Sequence, residues 1–159
     1  MEIEKTFKQT PESLIKTMSI IHLALLAGQM LLALGAFAQS TKIFFGIMYL
    51  EDNYVYAVSI LSMVGFFGGY VLFKKQLKLI RYKSPMSEKL SGYQNALIIR
   101  FSLLEIPSLF SIAAYMITGN LFFLSVSGFL MVCFVFLRPT TEKIDTDLQL
   151  DLDNPMRFL

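Results

Sequence analysis

Residues 93–118 read YQNALIIRFSLLEIPSLFSIAAYMIT, and their charged side chains are Arg100 and Glu105. A helix needs about 20 mostly apolar residues to cross the hydrocarbon core of a bilayer. This stretch meets that length, and a rise of about 1.5 Å per residue would place Glu105 near mid-depth. The stretch therefore predicts a transmembrane helix that carries an acid inside the membrane.

The composition of the whole chain points to the same class of protein. Hydrophobic residues make up 55% of the 159 residues, charged residues make up 16%, and the mean hydropathy is +0.57. Soluble domains carry about a quarter charged residues. Stretches 17–39, 54–73 and 120–137 are the other candidate spans.

The chain has one cysteine, one histidine and a net charge of +2, and these counts exclude several classes of protein. These counts exclude a disulfide scaffold and a zinc cluster built from one copy of the chain. The charge is too small to indicate nucleic acid as a partner. No nucleophile–base set or phosphate loop is visible, so we expect no enzyme, no cofactor and no metal site.

Lysine and arginine positions predict the orientation, because these residues are enriched in cytoplasmic loops. Loop 40–53 has Lys42 as its one base, whereas segment 74–89 carries Lys74, Lys75, Lys78, Arg81, Lys83 and Lys89. We therefore predict an all-α, polytopic membrane protein with N and C termini cytoplasmic. An antiparallel four-transmembrane-helix bundle would occupy residues 1–139, followed by an acidic cytoplasmic tail in 140–159. The bacterial inner (cytoplasmic) membrane is the expected location.

Local signals mark the helix boundaries. Thr10-Pro11-Glu12 has the form of an N-cap, a proline at the first helical position and an acid in the first turn. Ser84-Pro85 repeats the signal before the third span, and Gly119-Asn120 predicts a tight turn between the last two. Ala36-Phe37-Ala38 leaves an alternative open, because it resembles a signal-peptidase site that would remove residues 1–38.

Two segments outside the spans carry apolar residues. Residues 43–50 are too short to span, so we expect them at the interface or over the helix ends. In the tail, Ile144, Leu148 and Leu152 recur every four residues among aspartates. The acidic tail either touches the basic segment 74–89 or stays solvated, and the sequence leaves both open.

Depth counting from the predicted cytoplasmic side groups the polar residues of the spans. It places a mid-membrane layer at Gln29, Ser62, Glu105 and Ser125. A second layer, of His22 and Arg100, would lie nearer the cytoplasm. Arg100 either extends to the inner headgroups or acts as a counter-ion.

Glu105 has two interpretations. A carboxylate at mid-depth is costly unless it is protonated, paired or hydrated, which makes it a candidate proton or ion carrier. Pro107 cannot donate to the carbonyl of Leu103, so a helix kink would leave a free acceptor near the acid. The alternative is a neutral glutamic acid that holds two helices together through a hydrogen bond.

Small residues predict close helix packing. Gly65 and Gly69 have GxxxG spacing, which lets another helix of this chain or of a second copy approach. Gly28 and Gly35 on the first helix, with Gly128 on the fourth, would supply matching small surfaces.

Residues 59–118 resemble, in layout, the hairpin of the rotary ATPase proteolipid, the c subunit. The resemblance rests on Gly65-Phe66-Phe67-Gly68-Gly69, Arg81-Tyr82-Lys83-Ser84-Pro85 and Leu104-Glu105-Ile106-Pro107. It implies that Glu105 is a proton-carrying carboxylate.

Two functions follow from these patterns. The first is a non-enzymatic accessory or scaffold subunit of a membrane complex, whose partners are the lipid bilayer, membrane-complex proteins or further copies of the chain. The second is a small proton- or cation-coupled transporter in which Glu105 is the coupling acid.

Overall fold

A computed structural model describes residues 10–46, 53–82 and 86–148 of the chain. In these ranges it is all-α, with five helices and no strand. The helices are α1 (Pro11–Gln39), α2 (Asn53–Arg81), α3 (Met86–Thr118), α4 (Leu121–Phe136) and α5 (Thr141–Leu148).

Three helices are long and apolar enough to cross a membrane: α1, α2 and α3. The fourth, α4, has 16 residues and is followed by α5 after a bend of 75°. The two together would make a fourth span. The chain therefore has three to four candidate spans, as expected of a small multi-pass membrane protein.

The start of α1 confirms the predicted capping signal. Thr10 is the N-cap and accepts a hydrogen bond from the backbone N–H of Ser13, while the Ser13 hydroxyl oxygen accepts one from the Thr10 N–H. Pro11 occupies the first turn, where its missing N–H costs nothing. The second predicted signal, Ser84-Pro85, lies outside the described residues, and α3 begins at Met86.

The third helix is the centre of the molecule. In its most apolar window 44% of the residues are buried, against 17% in α1 and in α2. It packs against α1, α2 and α4, and it runs through Pro107 as one continuous helix. Because α3 contacts each of the other long helices, its buried polar side chains are the ones that can reach all three neighbours.

Gly65 and Gly69 bring α2 against α3 of the same chain, which answers the question of which helix uses the GxxxG spacing. A Cβ on Gly65 would clash with the carbonyl oxygen of Leu103 and would lie 2.9 Å from Pro107 Cγ. Pro107 has no N–H and therefore cannot donate a hydrogen bond to the Leu103 carbonyl. The close approach therefore depends on a glycine facing the proline-freed carbonyl.

The turn between α3 and α4 confirms the prediction made from Gly119-Asn120. Gly119 has φ +73°, and a Cβ there would clash with the Lys42 carbonyl oxygen. The Asn120 side chain caps α4 at Phe122 N–H and also exchanges hydrogen bonds with Gly46. Of segment 43–50, the described residues 43–46 thus lie over the helix ends, as expected.

The fifth helix folds back onto the bundle. Ile144 and Leu148 are buried in a hydrophobic cluster that includes Leu14, Met18, Phe73, Leu77 and Tyr93. Arg81 Nε donates to the Asp147 carbonyl oxygen at 2.8 Å, so the beginning of the tail does touch the basic segment. Leu152 lies outside the described residues.

Candidate functional site

A fully buried group of polar side chains joins α1, α3 and α4. Ser108 donates to Gln29 Oε1 at 3.0 Å, and its oxygen is 3.0 Å from the Ser127 oxygen. A hydroxyl has one hydrogen, so Ser127 is the donor to Ser108. Gln29 is 1% exposed and both serines are fully buried. We call Gln29, Ser108 and Ser127 the polar core.

Polar groups of α1 and α3 are also buried beyond the hydrogen bonds of the polar core. Ser111 donates to the Phe123 carbonyl oxygen, which adds a second link between α3 and α4. Gln29 Nε2 and the Tyr115 hydroxyl are buried without a hydrogen-bond partner among the described residues. An unpaired buried donor is costly, so these two atoms mark where the interior is incompletely satisfied.

His22 of α1 contacts the C-terminal turn of α4. Its Nε2 lies 2.8 Å from the Phe134 carbonyl oxygen, and its ring stacks on the Phe134 ring at 4.5 Å. A carbonyl only accepts, so Nε2 carries the hydrogen. The Phe134 carbonyl oxygen also accepts a hydrogen bond from the Leu137 N–H at the C-cap of α4, so His22 is its second donor. Lys143 serves the same end, donating to the carbonyl oxygens of Phe136 and Arg138, both at 3.0 Å.

The structure does not bring together the residues that were predicted to share each polar layer. Gln29 meets Ser108 rather than Glu105, three positions further along α3, and His22 meets Phe101 and Phe134 rather than Arg100. Three residues correspond to about 4.5 Å along a helix. The predicted register differs from the observed one by that amount, because depth counted from an assumed membrane boundary does not fix how two helices align with each other.

Ser125 lies outside the polar core. Its hydroxyl donates to the Leu121 carbonyl oxygen of its own helix, and its side chain is exposed. The residue that faces inward is Ser127, two positions later. Since two residues turn a helix through about 200°, Ser125 and Ser127 project to opposite sides.

Glu105 lies at the edge of the buried face of α3. It is half-buried and precedes Ser108 by three residues, so the two share one side of the helix. Among the described residues its carboxyl group has no hydrogen bond or ion pair. Its position therefore matches neither a closed interhelical hydrogen bond nor a paired charge.

Ser62 faces α4 rather than the polar core. Its hydroxyl oxygen is buried with no partner among the described residues. It lines an apolar cavity of about 250 Å³ with Phe66 and Phe67 of α2 and with Val126 and Phe129 of α4.

Arg100 lies near α5. Its guanidinium stacks on the Phe73 ring, 4.6 Å from the ring centroid. It is within electrostatic reach of Asp147 and Tyr93, and Tyr93 donates to the Asp147 carboxylate at 3.0 Å. Arg100 therefore points toward the α5 end of the bundle and away from Glu105, the direction expected if it extends toward headgroups.

Gly28, Gly35 and Gly128 do not supply matching surfaces within the chain. A Cβ placed on any of the three would meet nothing within 4 Å. Within the described part of the chain, the glycine faces of α1 and α4 therefore have no neighbouring helix against them, whereas Gly65 and Gly69 of α2 pack against α3.

Sequence reasoning missed Ser108, Ser111 and Ser127. A usable signal existed for the first two, because a spacing of three places both serines on one side of α3. For Ser127 there was none, since α4 is apolar on every side and its sequence does not separate inside from outside.

No three or more His, Cys, Asp or Glu side chains come close enough to hold a metal ion within the described ranges. No family model, no curated protein and no solved structure matches this chain.

Proposed function

We propose that this chain is a non-enzymatic accessory or scaffold subunit of a membrane complex. The observation that supports this function best is the polar core, in which Gln29, Ser108 and Ser127 bond to one another between three helices. Hydrogen bonds of this kind hold helices together in lipid. A transport pathway instead requires polar groups that face water or a substrate.

The proposal includes a topology. In this proposal α4 crosses the bacterial inner membrane without α5, as the fourth span of an antiparallel bundle, and both termini and α5 lie on the cytoplasmic side. The excess of lysine and arginine in segment 74–89 supports this orientation. Single cysteines at Lys42 and Lys89, labelled from one side of sealed vesicles, test it. Only the Lys89 cysteine is then reachable from the cytoplasmic side.

The open face of α1 indicates where a partner helix packs. Gly28 and Gly35 are seven positions apart, so they lie on one side of the helix, and neither has a neighbour within 4 Å. Small residues allow close helix approach. The partner is another protein of the complex in this proposal, and a second copy of the chain is the simplest alternative.

A coupled transporter is the second candidate, and one observation favours it. The Glu105 carboxyl group has no partner among the described residues although it is half-buried at mid-helix. An unpaired intramembrane acid marks an ion or proton pathway in many transporters.

Carbodiimide labelling of native membranes separates the two functions. The reagent modifies protonated carboxyl groups in apolar surroundings that remain reachable. A scaffold predicts no Glu105 labelling that titrates between about pH 6 and 9, and silence at every pH at which the protein stays folded is its clearest outcome. Labelling that changes with pH, and that disappears in Glu105→Gln, would replace the scaffold with the transporter.

A further inference from the structure

Two adjoining cavities lie on one side of the bundle near α5. The first is mainly apolar and has a volume of about 360 Å³. Its lining includes Phe66, Phe67, Leu104 and Leu137, and also Tyr70 and Arg100. The second has a volume of about 180 Å³ and contains polar groups from Tyr93, Arg100, Lys143 and Asp147. Arg100 and Leu137 line both, so the two cavities meet at these side chains, and we call the pair the groove, with an apolar part and a charged part.

Arg100 has unused hydrogen-bonding capacity at the junction. A guanidinium carries five N–H donors in a planar fork that matches a phosphate. Here one face of the group stacks on Phe73, and the described residues supply no acceptor for its N–H groups. Asp147 lies within electrostatic reach of Arg100 without a hydrogen bond between the two side chains, so a phosphate would supply the acceptors that the N–H groups of Arg100 lack.

The charged part of the groove favours an anion. Arg100 and Lys143 contribute two positive charges, and Asp147 contributes one negative charge whose carboxylate accepts from Tyr93. Lys143 is fixed by its two bonds to the end of α4. It therefore acts as a stationary charge, while Arg100 supplies the donors. Glu142 and Asp145 of α5 do not line this cavity.

We propose that this groove binds one anionic phospholipid, with an acyl chain in the apolar part and the headgroup phosphate on Arg100. Basic pockets between transmembrane helices recognise anionic headgroups in this way. A free phosphate shares the headgroup chemistry but would leave the apolar part empty. The lipid fits both parts of the groove, which is why it is the proposed occupant.

The test uses the full chain in mild detergent with defined lipids. Phosphatidylglycerol and phosphatidylcholine are added in turn, and native mass spectrometry counts the lipids that remain bound. We expect one phosphatidylglycerol per chain and weaker retention of phosphatidylcholine. Arg100→Gln should weaken phosphatidylglycerol binding about tenfold, the size expected for lost charge-assisted hydrogen bonds.

Lys89→Gln is the matched control, because it removes one positive charge from the same helix at a residue that does not line the groove. It should bind as the unaltered chain does. Arg100→Lys keeps the charge without the fork and should give an intermediate affinity, which keeps the test valid if Arg100→Gln fails to fold. Equal retention of both lipids, or equal loss in Lys89→Gln, would overturn the proposal. Complete displacement by excess inorganic phosphate would overturn the lipid and assign the site to a free anion.

Discussion

Among single residues, Pro107 of α3 and Gly65 of α2 form a matched pair at the contact between the two helices. The proline leaves the Leu103 carbonyl without its helical donor, and the glycine lets α2 lie directly against that carbonyl. Neither feature requires a functional role for the nearby Glu105. The proline therefore has a packing explanation that is independent of any ion pathway.

Gly65→Ala should destabilise the protein by about 2 kcal/mol, because the added methyl group overlaps backbone that cannot move freely. The midpoint of unfolding in SDS measures the effect. Gly68→Ala is the control, since a Cβ there meets nothing within 4 Å. Equal midpoints for the two variants would show that α2 does not approach α3 as described.

Ser108→Ala should destabilise by about 1 kcal/mol, because it removes the central member of the polar core and leaves Gln29 and Ser127 without their partner. Ser125→Ala should change the same unfolding midpoint little, since that hydroxyl bonds only to its own helix. A larger loss for Ser125→Ala would contradict the inward position of Ser127.

At the level of the elements, α5 behaves as part of the bundle and not as a loose tail. Its two buried side chains join the same cluster as residues of α1, α2 and α3. Its Lys143 and the backbone of Asp147 make further links to α4 and α2. A charged, amphipathic segment is thereby held at one end of the apolar helices.

Ile144→Ala should cost about 3 kcal/mol, the usual range for truncating a fully buried isoleucine. The exposed neighbour Glu142→Ala should cost almost nothing. Comparison of their thermal unfolding in detergent checks this. If both variants unfold like the original chain, α5 contributes no stability and its docking is refuted.

The open face of α1 gives a prediction about assembly that rests on the proposed function. Gly28→Leu places a large side chain where a partner helix would approach, so the complex extracted in mild detergent should fall apart into smaller particles. Gly68→Leu adds the same bulk to an open position of α2 and should leave the complex intact. Loss of assembly in both variants, or in neither, would remove α1 as the partner-binding helix.

For the whole molecule, the sequence predicted what is local and missed what depends on helix rotation and register. The cap at Thr10 and the turn at Gly119 and Asn120 followed from neighbouring residues. The contacts of that turn with Lys42 and Gly46 did not. Hydropathy predicted the apolar stretch of each helix but not where the helix ends. For example, α2 continues past the predicted limit of residue 73 to Arg81. The partners of Gln29 and His22 depend on how three helices tilt and turn, which apolar sequences do not encode in their periodicity.

If the proposed scaffold function is correct, assembly of the membrane complex does not need the Glu105 carboxylate. The most direct measurement is the mass and composition of the particle extracted from native membranes in mild detergent, for the original chain and for Glu105→Gln. We expect a particle that contains at least one other protein besides this 18.1 kDa chain and that is unchanged by the substitution. A particle made only of copies of this chain, or one that is lost in Glu105→Gln, would contradict it.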